Sequence, residues 1–426
     1  MPDKTLADLV KLFGQWEGFD VVGFTTEPDL EPDALGQPAP RLVLELKPTP
    51  GYPKRCSRCG AAVVEIHEVS ERRVRDLPIG EWDTWLIFPR ARLQCPRCGP
   101  TVEAVPWLDR YQRMTTRLAE KIAKLAQVLP IKHVASWFGV SWDTVKQIDQ
   151  RSLVRTLGPI EDHLDGIRVI AIDEFAIQRG HRYATVIVDV LTKRVLWLCR
   201  GRDRDALRGF FLALGPERCA LIEAVAVDMW RPYRTEILAH CPQAELVYDL
   251  FHVVAKYGRE VVDRVRVDET NRLARAAGPG PIRNQRRVIK GARWMLLRNR
   301  EHLTNPVDRI RLRELLQANK ALFITYVLKD DLKQLWRFRY PKAAWRFWRG
   351  WRRRAIASGL RPLLAFTKVL EGHIDGIISH CTHPINSGML EGMNNKIKVI
   401  KRMAYGYRDD EYFFLKIRAA FPGITG

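Results

Sequence analysis

GIRVIAIDEFAIQRGHRYATVIVDVLTKRVLWLCRG, residues 166–201, holds three apolar stretches, GIRVIAIDEFAI, HRYATVIVDVL and KRVLWLCRG, parted by short polar turns. The first two are rich in Val and Ile, the third in Leu with Val and Trp, and each has the length of a strand, so the three read as successive strands of a meander. A helix over DRDALRGFFLALG follows. Two strand–helix alternations come next, EAVAVDMW with RPYRTEILAH, then AELVYDLFHVV. Three meandering strands followed by β–α alternation predict a mixed α/β sheet. One residue breaks the first strand: Asp173 interrupts an apolar run, and Glu174 beside it has the opposite facing.

Outward from this sheet the pattern changes on both sides. From about 256 to 375 strands disappear, and the chain reads as helical, rich in Arg and Trp, and broken by GPGPIRN and by Pro306 and Pro341. A final helix over 387–404 returns to the α/β body. On the amino-terminal side, 1–50 offers a short helix, a strand near FDVVGF and a strand RLVLEL. The expected parts are therefore an N-terminal segment (1–50), a zinc-ribbon-like domain (51–110), a helix-turn-helix (111–158), the first part of a core (159–255), an all-helical insertion (256–375) and the second part of the core (376–426). The fold class expected is multidomain α+β.

Charge narrows the function. Seventy Lys and Arg stand against 49 Asp and Glu, a formal charge of +21, which points to a polyanion and foremost to nucleic acid. No run of about 18 apolar residues exists to span a membrane, and the amino terminus lacks a secretion signal.

Of eight cysteines, four form two tight pairs. CSRCG (Cys56, Cys59) and CPRCG (Cys95, Cys98) each put two thiols on a turn that its glycine permits. Four sulfurs make a closed tetrahedral site, so a structural Zn²⁺ is expected; a long hairpin can span the 35 intervening residues. Beyond it, 115–129 reads as a helix and IKHVASWFGVSWDTVKQIDQR fits a helix-turn-helix. Val134, Ala135 and Phe138 lie in its first helix, Gly139 at the turn, and Ser141 caps the second. That second helix, with Trp142, Thr144, Lys146, Gln147 and Arg151, is the one expected in the major groove.

Three acids carry the chemistry. Asp173 sits on the first strand and Asp228 ends a later one. Glu391 lies alone at the head of HPINSGMLEGMNNKIKVIKRMAYGYR (383–408), whose helix exposes Asn394, Asn395, Lys396, Lys398, Lys401 and Arg402. Hard divalent cations take such oxygen ligands, and a pair of them stabilises the attacking and leaving oxygens of phosphoryl transfer. Mg²⁺ (or Mn²⁺) on Asp173, Asp228 and Glu391 is the expectation, with the basic helix tracking phosphates. Glu174, Asp189 and Asp203 are weaker alternatives.

His383, Pro384, Asn386, Gly388, Glu391, Gly392, Asn394, Asn395, Lys396, Ile397, Lys398, Lys401, Arg402, Gly406 and Arg408 resemble the signature of the ISL-three family of bacterial insertion-sequence transposases. The resemblance extends over nearly the whole chain: cysteine knuckles, helix-turn-helix, AIDEFA and VAVDMW. It implies a DDE enzyme with an RNase H-like core interrupted by the helical insertion, and Asp173, Asp228 and Glu391 as its triad. YDLFHVV is similar to the family's own version of this strand and to an Asp/Cys-x-x-His element of Mutator-like transposases. Asp249 and His252 are accordingly either metal-site neighbours, His252 touching the scissile phosphate, or a strand-end acid and a core histidine. In the insertion, WRFRYPKAAWRFWRGWRRR (336–354) either stacks on unpaired bases, with Arg349 and Arg353 on phosphates, or packs its tryptophans inward. The expected partners are double-stranded DNA at element ends and target, bound by a homodimer in the bacterial cytoplasm at the nucleoid. A transposase-derived DNA-binding regulator and an RNase H-like nuclease without strand transfer are the rival readings.

Overall fold

The computed structural model describes residues 16–27, 40–178, 180, 182–276, 281–298, 302–385 and 387–424. The short helix expected ahead of residue 16 and Asn386 of the C-terminal motif lie outside them. The chain forms two compact units: Met1–Thr156 with Lys401–Lys416, and Leu157–Ile400 with Ile417–Gly426.

In the first unit a five-stranded sheet has the order β1-β2-β4-β3, with β5 on β4. The strands are β1 (Phe19–Glu27), β2 (Arg41–Pro48), β3 (Ile66–Arg75), β4 (Asp83–Cys95) and β5 (Gly99–Val102). The long β3–β4 hairpin spans the distance between the two knuckles. Trp16, Leu44, Leu86, Phe88 and Trp107 fill one side of the sheet. Asp76, fully buried, accepts from Trp16 Nε1 (2.8 Å), Thr115 Oγ1 (2.6 Å) and Arg117 Nε (2.7 Å). One carboxylate thus ties the ribbon sheet to the first helix of the next module.

That module has helices Thr116–Ala126, Ile131–Phe138 and Trp142–Leu157. Gly139 ends the second at φ 57°, the left-handed conformation that glycine adopts without strain. Ser141 Oγ accepts from Thr144 N at 3.1 Å, the expected cap. Val134, Ala135, Phe138 and Val145 are buried with Leu118 and Ile122.

The second unit is built on a sheet of order β10-β9-β6-β7-β8, formed by β6 (Val169–Gln178), β7 (Arg182–Asp189), β8 (Val195–Arg200), β9 (Ala224–Val227) and β10 (Glu245–Tyr248). β6, β7 and β8 pair antiparallel, while β9 and β10 run parallel to β6. The mixed sheet read from the sequence is therefore present. From Leu250 to the end of the described residues only helices occur. YDLFHVV is not a continuous strand: β10 ends at Tyr248, and Asp249 caps a helix over Leu250–Tyr257 by accepting from Phe251 N at 2.9 Å. His252 is therefore helical.

Candidate catalytic site and nucleic-acid interface

Strand register lines up three aspartates. Ala171 of β6 is opposite Ala226 of β9, and Ala226 is opposite Val247 of β10. Side chains alternate along a strand, so Asp173, midway along β6, keeps the face of Ala171, while Asp228 and Asp249 come two residues further on, just past the carboxyl ends of the adjacent parallel strands β9 and β10. Ligand sites in open α/β sheets sit at such ends. Glu174 keeps the other face, as expected. It pairs across the strand with Thr185, whose hydroxyl meets Tyr233 Oη at 2.7 Å.

Each aspartate is held locally. Asp173 Oδ1 accepts from Glu174 N (2.8 Å), and Asp173 Oδ2 from Asn394 Nδ2 (2.7 Å). Asp228 Oδ1 accepts from Trp230 N at 3.0 Å. His252 Nε2 lies 4.0 Å from Asp173 and 3.9 Å from Asp249. Burial, above all, raises both core carboxyls. For Asp173 the nearby charge of Asp249 adds to it; for Asp228 the charges of Glu174 and Asp173 help bring it up to about 6. His252 opposes both shifts. These are desolvated, mutually repelling hard-oxygen donors, and a divalent cation suits that set.

Glu391 stands apart. It is exposed on the helix Ser387–Met403, and the contact of that helix with Asp173 comes through Asn394, one turn on. Leu390, Met393 and Ile397 bury the helix's apolar stripe. Among the described residues, the ligand atoms of Asp173, Asp228 and Glu391 are not gathered within 4.8 Å of one another. Asn395, Lys398 and Arg402 are exposed. Lys396 is engaged, its Nζ donating to Ala420 O at 2.6 Å; Lys401 is half-buried.

The weaker acid candidates have structural duties. Asp189 accepts from Leu191 N, Thr192 N and Thr192 Oγ1 in a turn. Asp203 caps the helix Arg204–Leu214 through Ala206 N at 2.9 Å. Sequence reading missed Arg202, whose guanidinium lies over Tyr183 and Trp230 and pairs with Glu174 at 3.4 Å. It follows a strand end and no local pattern marks it.

In the first unit the four thiols of Cys56, Cys59, Cys95 and Cys98 lie within 4.8 Å of one another, a donor set that fits a tetrahedral zinc ion. Arg58 N donates to Cys56 Sγ at 3.4 Å, the kind of support a thiolate needs. On the helix Trp142–Leu157, Trp142, Gln147 and Arg151 are exposed and Thr144 is half-buried. Lys146 is turned aside: its Nζ pairs with Asp409 at 2.7 Å and lies over the Tyr412 ring. Asp149, fully buried on the same helix, accepts from Lys416 Nζ at 2.8 Å and is hydrogen-bonded to Tyr412 Oη.

The helix Pro341–Ala357 fixes the place of two of the tryptophans. Trp348 and Trp351 are buried and stacked on each other, and Trp351 Nε1 donates to Leu328 O at 2.9 Å. Their indoles are core, so they are not free to stack on bases. Arg349 and Arg353 are exposed.

Comparisons with known proteins agree with this organisation. A transposase domain model matches residues 170–417. The helix-turn-helix domain of transposase family ISL3 matches 103–153, and the zinc-finger of transposase IS204/IS1001/IS1096/IS1165 matches 53–98. The chain is 48% identical over 416 residues to the transposase for insertion sequence element IS1001 of Bordetella parapertussis, covering 97% of this chain and 98% of that one. It is 30% identical over 420 residues to the transposase for insertion sequence element IS1557 of Mycobacterium tuberculosis, covering 94% and 93%. No helix among the described residues is long and apolar enough to cross a membrane. Ribbon, helix-turn-helix and acid-bearing sheet thus coincide with the three matched segments, and the chain belongs to the ISL3 family of transposases.

Proposed function

We propose that the protein is a DDE-type DNA transposase that binds the terminal inverted repeats of a bacterial insertion sequence, cuts at the element ends and joins them to target DNA. The observation that carries this reading is the row of Asp173 within β6 and Asp228 and Asp249 just past the ends of the parallel strands β9 and β10, with the Glu391 helix bonded to Asp173. The strand order, three antiparallel strands followed by two parallel ones beside the first, supports an RNase H-like core. The helical stretch from about 256 to 375 is then the insertion between the second and third acids.

Asp173, Asp228 and Glu391 would hold Mg²⁺ or Mn²⁺, which when bound supplies charge stabilisation to the attacking and leaving oxygens. Asp173, within β6, and Asp228, just past the end of β9, are each braced by a backbone N–H donor, so their positions change little when charge develops. His252, 4.0 Å from Asp173, would donate to a non-bridging oxygen of the scissile phosphate. Water attacks that phosphorus and the P–O3′ bond breaks, leaving a free 3′ hydroxyl. This hydroxyl attacks a target phosphodiester; the new bond forms as the target's own 3′ oxygen leaves and takes up a proton. No covalent protein intermediate is needed.

Gln147 and Arg151, with Trp142 and Thr144, would read the ends, and the exposed Arg349, Arg353, Asn395, Lys398 and Arg402 would hold phosphates. A homodimer assembled on DNA at the nucleoid, in the cytoplasm, completes the proposal. A strand-transfer assay with native element ends and Mg²⁺ tests it. Wild type should give joined products; Asp173→Asn, Asp228→Asn and Glu391→Gln should give none while retaining end binding. Cleavage without joining would support the nuclease instead, and end binding without cleavage the regulator.

A further inference from the structure

The helix that carries Glu391 presents the polar side chain of Asn394 to Asp173. Asn394 Nδ2 donates to Asp173 Oδ2 at 2.7 Å. Its Oδ1 is buried and has no hydrogen-bond donor among the described residues. The amide is fixed in this sense by chemistry: turned over, its oxygen would face a carboxylate oxygen. A buried amide that satisfies its donor and leaves its acceptor empty costs free energy, unless another donor arrives during function.

The surroundings limit what that donor can be. Asp173 spends Oδ1 on Glu174 N and one lone pair of Oδ2 on Asn394, so its remaining lone pairs are those open to a cation. A hard divalent ion keeps several of its waters, and those waters are strong donors. We propose that Asn394 is a positioning residue of the catalytic site and not a DNA contact. It orients Asp173 through Nδ2 and accepts through Oδ1 from a water in the shell of the cation that Asp173 binds. This rests on the cation-holding role of Asp173 proposed above. It also gives the three-residue spacing of Glu391 and Asn394 on one helix a purpose: one turn delivers a ligand and the group that aligns another ligand.

Calorimetric titration of the full-length, zinc-loaded protein with Mn²⁺ alone, beside end-duplex binding and cleavage at graded Mn²⁺, tests the assignment. The Asp173→Asn variant defines which part of the Mn²⁺ signal belongs to this site. Asn394→Leu should weaken that part about 10- to 100-fold, the usual loss when a group supporting a metal ligand is removed. The Mn²⁺ concentration for half-maximal cleavage should rise by the same factor, with end-duplex affinity unchanged. Asn394→Ala, smaller and less disruptive to packing, should weaken Mn²⁺ in the same direction and guards against a folding defect in the leucine variant. Wild-type Mn²⁺ affinity in either folded variant overturns the proposal, as does a loss confined to DNA affinity. If Asp173→Asn itself leaves the Mn²⁺ titration unchanged, the cation-holding reading fails first and takes this one with it.

Discussion

Asp173 and Asp228 are half-buried acids set among other carboxylates, and that has a thermodynamic consequence. The Asp228 carboxyl is raised from 3.8 to about 6 by burial and neighbouring acids, so the folded chain holds this proton more tightly than the unfolded chain does. Its contribution to stability is fully present below about pH 4 and is lost as pH rises through about 6. In Mg²⁺-free buffer, Asp228→Asn should therefore be more stable than wild type at pH 7.5, by at most about 3 kcal/mol, and show little advantage at pH 4.5. Urea midpoints at the two pH values measure this; equal midpoints at pH 7.5 would show that the charge is not a burden. Both acids were legible because each breaks an apolar run. The inward turn of Asn394 was there to be read as well, since it is four residues past Leu390 and three before Ile397, on the helix's apolar stripe. Its position among Asn395, Lys396 and Lys398 made it look like one more phosphate contact. Lys146 misled for another reason: its partner Asp409 is far off in sequence, and no local pattern connects them.

At the scale of elements, the zinc cluster and the recognition helix were read from spacing and capping signals, which are local and so survive folding. Removing zinc with a chelator should melt the ribbon sheet while leaving the second unit's helices intact, because β3, β4 and β5 are clamped at the knuckles by the four thiols. Far-UV circular dichroism with limited proteolysis would show this; a fully protected ribbon after chelation would contradict it. On the helix Trp142–Leu157 the exposed candidates include Trp142, Gln147 and Arg151, and Lys146 faces Asp409 and Tyr412. Gln147→Ala with Arg151→Ala should remove most of the preference for element ends over scrambled duplex, roughly 1–3 kcal/mol per lost base contact. Lys146→Ala should leave that preference in place and lower stability instead, since it strips a partner from Asp409. Competition binding and thermal melts separate the two; loss of preference in Lys146→Ala would restore it as a base reader. The segment 401–416 was not legible as part of this module, because Tyr412 and Lys416 reach Asp149 through tertiary packing alone.

For the whole molecule, a charge of +21 predicts binding that falls steeply with salt, with each phosphate contact adding about 0.9 to the log–log slope. Arg349→Ala with Arg353→Ala should reduce that slope by roughly 2 and weaken end and scrambled duplexes alike; an unchanged slope would remove the insertion from the DNA interface. The α/β sheet and the helical stretch were legible because period-2 and period-3.6 patterns alternate cleanly along the chain, while the inward packing of Trp348 and Trp351 was not, since a buried and a base-stacking tryptophan look alike in sequence. The central claim is that Asp173, Asp228 and Glu391 hold cations together, although Glu391 is exposed and three ligand atoms are not yet gathered. Anomalous scattering from Mn²⁺ in crystals of the protein bound to an element-end duplex measures this directly. The expected result is Mn²⁺ coordinated by carboxylate oxygens of all three residues beside the scissile phosphate. Mn²⁺ bound at Asp173, Asp228 and Asp249 with Glu391 still free, or no Mn²⁺ at these aspartates, would contradict it.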